Sequence, residues 1–146
     1  MKTVFKRIVC TLLVICSLSS LAWANAIQAR TSSTLNYYSA NLSASANRTV
    51  SVSANITGRG DCSEIGISRV YVYESSDGGK TFSLYKTYLS SDYPSMMDSG
   101  ITYCKAPISF TGTIGNQYKA TVYCHAVCGS DTDTKSYETN TVTARR

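Results

Sequence analysis

The sequence predicts an all-β domain, folded as an antiparallel sandwich of two sheets with about seven strands. After residue 24, the chain is dominated by Ser, Thr, Val, Ile and Tyr, which is a composition typical of sheets. Several segments alternate apolar and polar residues with a period of two, and no segment carries a sustained helical period. Turn residues separate these segments at intervals of roughly ten residues, as in β-sandwiches.

Residues 1–24 predict export. Their start is basic, residues 8–21 are mostly apolar, and small residues follow, a pattern typical of a signal peptide with cleavage after Ala24 or Ala26. The apolar run is short for a membrane span. We therefore expect a secreted, extracellular protein with no stable membrane span after cleavage.

Removal of residues 1–24 changes the charge of the chain. Loss of three basic residues lowers the formal charge from +5 to +2. The remaining Lys and Arg are scattered, which argues against a nucleic-acid partner, because phosphate binding needs a clustered basic stripe. Residues 25–34 are polar and predict a flexible leader. Residues 35–146 are enough for one domain with a single core.

Each strand of the domain is predicted from alternation and from the turns that bound it. Asn47 and Arg48 predict the turn of a first hairpin. Residues 58–62 contain two glycines and predict a loop. Asp77, Gly78 and Gly79 predict a second hairpin turn, because Asp accepts backbone hydrogen bonds and Gly adopts positive φ. Residues 90–100 are expected to be irregular. The predicted strands cover 34–46, 49–57, 65–75, 82–89, 101–110, 118–128 and 134–144.

The segment after Gly115 carries the most informative pattern. One face of its strand is predicted to be buried, and comprises Tyr118, Ala120, Val122, Cys124 and Ala126. The order Gly-x-x-Tyr-x-Ala-x-Val resembles the tyrosine corner of immunoglobulin-like and fibronectin type III sandwiches. In that corner the Tyr hydroxyl satisfies an upstream backbone group and fixes the crossing between two sheets. The resemblance implies an immunoglobulin-like sandwich.

Four cysteines follow the signal segment, and an even number in an exported domain predicts disulfides, with three possible connectivities. In an immunoglobulin-like topology the second and sixth strands run parallel, so Cys62 and Cys128 would lie at the same end. Cys104 and Cys124 have inward parity and lie symmetrically about the corner. We therefore predict the disulfides Cys62–Cys128 and Cys104–Cys124.

Exposed tyrosines are candidate ligand contacts, because Tyr presents rigid amphipathic area suited to a protein or a glycan. Cross-strand aromatic pairing within the sheet is the alternative explanation. Those that cluster around the Asp77 hairpin are Tyr71, Tyr73, Tyr85 and Tyr88. Arg59 and Asp61 belong to Arg59-Gly60-Asp61, a tripeptide that resembles integrin ligands and also suits an ordinary turn.

No metal, cofactor or catalytic site is predicted. Cys124, His125 and Cys128 are ligand types suited to zinc, but their spacing matches no zinc knuckle and the compartment favours disulfides. Neighbouring residues on a strand point to opposite faces, so Cys124 and His125 cannot form a thiol–imidazole pair. Asp77, Asp131 and Asp133 offer oxygens suited to calcium, but their positions are also typical of turns.

Two further resemblances concern function. Ser75-x-Asp77-x-Gly79-x-Thr81-Phe82 resembles the Asp-box of sialidases and other propellers, where it is a structural hairpin. A single copy cannot close a propeller, so it implies a local turn only. The runs Ile56 to Gly66, Val70 to Glu74 and Gly115-x-x-Tyr118-x-Ala120 resemble a family of small exported proteins from Gram-positive bacteria, catalogued as a domain of unknown function.

These features predict a secreted, non-enzymatic module for extracellular binding or structure, with a protein or a glycan as its partner. The alternative is a small secreted metal-dependent or hydrolytic effector.

Overall fold

A computed structural model describes residues 32–146. The predicted signal peptide and most of the predicted leader lie outside these residues. Ser32 and Thr34 are buried. The Ser32 hydroxyl accepts hydrogen bonds from the backbone N–H groups of Thr34, at 3.3 Å, and Leu35, at 2.7 Å. The last residues of the predicted leader are therefore packed into the domain.

The described residues are all-β, as predicted. One short 3-10 turn, Pro94–Met96, accompanies the strands, and no helix in residues 32–146 is long and apolar enough to cross a membrane. Every strand pairing is antiparallel. The seven strands are β1 (Leu35–Ala44), β2 (Thr49–Ser75), β3 (Ser83–Leu89), β4 (Met97–Thr111), β5 (Gln117–Cys128), β6 (Asp131–Glu138) and β7 (Val142–Thr143).

Strand β2 organises the sheet, because four other strands pair with it. Its first half pairs with β1 and β4, and its second half pairs with β5 and β3. Strands β6 and β7 pair with β5. All seven strands therefore form one antiparallel sheet that curls into a half-barrel. The two separate sheets of the predicted immunoglobulin-like sandwich are not observed.

The continuity of β2 through residues 58–62 explains this difference. The sequence predicted a loop here, but the chain stays extended and the backbone N–H of Arg59 donates to the carbonyl of Thr34 at 2.8 Å. A Cβ on Gly58 would overlap Sγ of Cys62 and lie 3.4 Å from Sγ of Cys128. Gly58 thus permits a close approach of the two sulfurs and does not mark a turn.

A β-bulge in β4 changes which of its side chains face the core. Ala106 and Pro107 together occupy the space opposite Ser53, and Pro107 has no N–H to donate to the ladder. The extra residue inverts the alternation, so Tyr103 is buried and Cys104 is exposed. The predicted inward parity of Cys104 is therefore wrong.

The core lies on the inner side of the curled sheet. The predicted inward face of β5 is confirmed, since the alternate residues Tyr118, Ala120, Val122, Cys124 and Ala126 are at most 2% exposed. The first hairpin turn is also confirmed, with φ of 60° at Asn47 and 64° at Arg48. Further core residues of the first hairpin are Leu35, Leu42, Val50, Val52, Ala54 and Ile56.

The predicted last strand divides into β6 and β7 at Thr139 and Asn140, which link β1 to β5. The Asn140 side chain accepts a hydrogen bond from the backbone N–H of Leu42 and donates one to its carbonyl, both at 2.9 Å. The Thr139 hydroxyl accepts from the backbone N–H of Ala120 at 2.9 Å. Side-chain hydrogen bonds therefore replace a strand pairing at this edge of β1.

Candidate functional site

The disulfide Cys62–Cys128 is confirmed. It joins the middle of β2 to the last residue of β5 across 66 residues of sequence. The register already brings the two segments together, since Glu64 lies opposite Val127. The bond therefore fastens two neighbouring parts of the sheet.

The disulfide predicted between Cys104 and Cys124 is absent, because both cysteines are free. Cys124 is fully buried on β5, and burial raises the pKa of its thiol to about 12. Cys104 lies opposite Asn55 on the exposed side of β4, where the bulge places it. Cys104 contributes to a shallow groove of about 370 Å³ that is also lined by Ser39, Asn41, Ser53, Asn55 and Lys105.

The Tyr118 hydroxyl forms the hydrogen bond expected of a tyrosine corner. It accepts from the backbone N–H of Thr113 at 2.8 Å and donates to the Glu74 carboxylate through a short hydrogen bond. Asn116 donates to the same carboxylate at 2.9 Å. Hydrogen bonds from Tyr118 and then Asn116 lower the pKa of Glu74, while burial and Glu74 raise the pKa of Tyr118. These groups satisfy one another and have a structural role.

The Asp77 hairpin is likewise a self-contained turn. The carboxylate of Asp77 accepts hydrogen bonds from the hydroxyls of Ser75 and Thr81, both at 2.6 Å, and from the backbone N–H of Lys80 at 3.0 Å. These bonds, that of Ser75 first, lower the pKa of Asp77. Because its oxygens already accept these bonds, Asp77 acts here as a turn former, the simpler of the two roles considered for it.

The structure separates the four candidate tyrosines into two groups. Tyr88 is 3% exposed. The ring of Tyr85 lies against those of Phe110, at 5.7 Å between centroids, and Tyr118, at 5.6 Å. Tyr71 and Tyr73 lie half-buried on the opposite side of the sheet from the core. Only Tyr71 and Tyr73 are therefore placed to share one ligand on the outside of the sheet.

Arg59 and Asp61 lie within β2 and not at the tip of a turn, and both are exposed. Gly60 between them is unhindered, with no atom within 4 Å of the position that a Cβ would take. The tripeptide is extended and adjoins the disulfide.

Three neighbouring strands bring aromatic, apolar and cationic side chains together on the side of the sheet that faces away from the core. Residues opposite one another in antiparallel strands share a face. Tyr73 lies between Leu84 of β3 and Lys119 of β5. Arg69 lies between Leu89 of β3 and Tyr123 of β5. We call this set the outward patch: Arg69, Tyr71 and Tyr73 of β2, Leu84 and Leu89 of β3, and Lys119 and Tyr123 of β5.

Arg69 is held in place at one end of the outward patch. Its guanidinium carbon lies 4.8 Å from the ring centre of Tyr123 and 5.5 Å from that of Tyr71. One N–H donates to the Tyr71 hydroxyl at 3.0 Å, and the two tyrosine rings meet edge to face at 5.8 Å. These cation–π contacts fix the orientation of the guanidinium.

Sequence reasoning identified Tyr71 and Tyr73 but missed the other five members of the outward patch. Lys119 and Tyr123 alternate with the buried residues of β5 and therefore lie on its outward face. Cross-strand register, which the sequence does not state, was needed to bring them beside β2. The exposure of Leu84 (58%) and Leu89 (39%) is also a property of the assembled sheet.

His125 lies outside the core, as its parity predicted. Its Nδ1 lies 2.7 Å from the hydroxyl of Thr134, and its Nε2 lies 3.8 Å from the carboxylate of Glu64. His125, Thr134 and Glu64 therefore form a polar cross-strand cluster.

Within residues 32–146, no group of three or more His, Cys, Asp or Glu side chains is arranged to hold a metal ion. No protein family model, curated protein sequence or solved structure matches the chain. The resemblance to small exported proteins of Gram-positive bacteria stays a prediction.

Proposed function

We propose that the protein is a secreted, non-enzymatic binding module whose ligand contacts the outward patch. The observation that carries this proposal is the cross-strand register, which places Tyr73 and Arg69 each between an exposed leucine of β3 and a residue of β5, with Tyr71 between them along β2. Tyr and Arg are the residues most enriched where binding energy concentrates in interfaces. A ligand on this face would contact rigid sheet, so little conformational entropy would be lost on binding.

Export is part of the proposal. The disulfide Cys62–Cys128 supports it, because disulfides persist in oxidising compartments. The predicted signal peptide agrees with the same compartment. A relation to immunoglobulin-like sandwiches also belongs to the proposal, and its support is the Tyr118 hydrogen bond to the backbone N–H of Thr113. The hydrolytic or metal-dependent alternative stays a prediction.

The test is a comparison of three purified chains with the disulfide intact on arrays of glycans and of extracellular proteins. We expect at least one ligand to bind the wild type, with about a tenfold loss for the double variant Tyr71→Ala/Tyr73→Ala. Tyr37→Ala is the matched control, because Tyr37 is 52% exposed on β1, outside the patch. Equal binding by the double variant, or no ligand on either array, would contradict the proposal.

A further inference from the structure

Arg69 has hydrogen-bonding capacity that the domain leaves unused. A guanidinium has five N–H donors, and the only acceptor that it meets in the described part of the chain is the Tyr71 hydroxyl. No carboxylate of residues 32–146 lies within 4.0 Å of it, since the ion pairs there involve Lys105, His125 and Lys135. The fork is therefore oriented by two aromatic rings and open to an external acceptor.

A second cation lies at the other end of the outward patch. The ammonium of Lys119 lies 4.9 Å from the ring centre of Phe82, and no carboxylate of the described residues pairs with it. Lys119 is four residues from Tyr123, which lies opposite Arg69, so the backbone positions of the two cationic residues are about 13 Å apart along the sheet.

In residues 32–146 no carboxylate forms an ion pair with Arg69 or Lys119. Glu74 accepts from Tyr118 and Asn116, and Asp77 accepts from its own hairpin. Glu138 lies opposite Thr121, which itself lies opposite Tyr71, so Glu138 is on the same face as the outward patch but one strand farther away, on β6. Within the outward patch itself two side chains are cationic and none is acidic, so the patch complements a negatively charged ligand.

We infer that the outward patch binds an acidic segment of another protein, with a carboxylate of that segment held by the guanidinium of Arg69. The inference rests on the proposed binding function and adds the class of partner. Arg binds carboxylates through two parallel hydrogen bonds, and a fork that is already oriented loses less entropy on binding. The exposed Leu84 and Leu89 favour a protein over a glycan, because apolar side chains of a partner would cover them.

The test is a selection of random 12-residue peptides, displayed on phage, against the wild-type chain. We expect enrichment of peptides with Asp or Glu beside apolar residues. Fluorescence anisotropy with the enriched peptides should show about a tenfold weaker affinity for Arg69→Gln and a smaller loss for Arg69→Lys, which keeps the charge but not the fork. Tyr37→Ala should bind as the wild type does, and thermal unfolding of each variant checks that it is folded.

Each other outcome would overturn the inference. Enriched peptides without acidic residues, no enrichment at all, or equal affinity for Arg69→Gln would do so. A stronger Arg69-dependent affinity for polygalacturonate than for any selected peptide would overturn the choice of a protein partner. The proposed function fails separately, when the double variant Tyr71→Ala/Tyr73→Ala keeps its array ligands.

Discussion

Replacement of Tyr118 by Phe removes one hydroxyl from the corner and should destabilise the domain by about 2.5 kcal/mol. The hydroxyl accepts from the backbone N–H of Thr113 and donates to Glu74. A neutral hydrogen bond contributes about 1 kcal/mol, and one to a charged group about 1.5–3 kcal/mol. We take the lower end for the second, because Glu74 is partly solvated. The ring itself stays in the core.

The effect should depend on pH, because hydrogen bonding lowers the pKa of Glu74 below its ordinary value of 4.5. A carboxyl group with a lowered folded-state pKa stabilises the fold above its unfolded pKa. That contribution is lost as the pH falls through the folded pKa. The difference in unfolding free energy between wild type and Tyr118→Phe should therefore be largest at neutral pH and shrink below about pH 4.5.

Urea unfolding followed by circular dichroism, at pH 7 and at pH 3, measures both quantities. Tyr85→Phe is the matched control, since its hydroxyl is more exposed and donates to the carbonyl of Thr111 at 3.3 Å. Its loss should cost less than about 0.5 kcal/mol. The reasoning is refuted if Tyr118→Phe is no more destabilising than Tyr85→Phe, or if its effect is the same at both pH values.

Two further predictions concern the sulfurs and their surroundings. In a chain without residues 1–24, Ellman's reagent should titrate Cys104 in the native protein and Cys124 only after unfolding, because Cys124 is fully buried. Two fast thiols, or none, would contradict this placement. Gly58→Ala should destabilise the domain by about 1–3 kcal/mol, because the added methyl group overlaps a disulfide sulfur, as urea unfolding would show. Gly60→Ala is the control, because a Cβ on Gly60 would meet open space, and this variant should leave the free energy of unfolding nearly unchanged. If both variants lower the free energy of unfolding equally, the steric explanation is excluded.

Local patterns in the sequence predicted the parts of the fold that depend on few residues. The alternation from Tyr118 to Ala126 fixes which face of β5 is buried, because a strand has a period of two. The turn at Asn47 and Arg48 and the hairpin at Asp77 depend on side chains that bond their own backbone or tolerate positive φ. Each of these features is decided within a few residues of the chain.

Features that depend on cross-strand register were not predictable in this way. Glycines at Gly58 and Gly60 suggested a loop, whereas Gly58 is needed for close packing inside a continuous strand. The single extra residue at Ala106 and Pro107 inverts the face of Cys104, and alternation alone does not reveal a bulge. The same limit applies to the outward patch, where Arg69 becomes a candidate only once Tyr123 is known to lie opposite it.

The disulfide between β2 and β5 gives the two ends of the segment from Cys62 to Cys128 a second covalent connection besides the backbone. Strands β3 and β4 lie entirely between Cys62 and Cys128, together with the turn that precedes Pro94. A protease that cuts the backbone once in this interval leaves both fragments attached through sulfur. An exported protein of this design would keep its mass after nicking until a reductant separates the pieces, while strands β6 and β7, beyond Cys128, have no such protection.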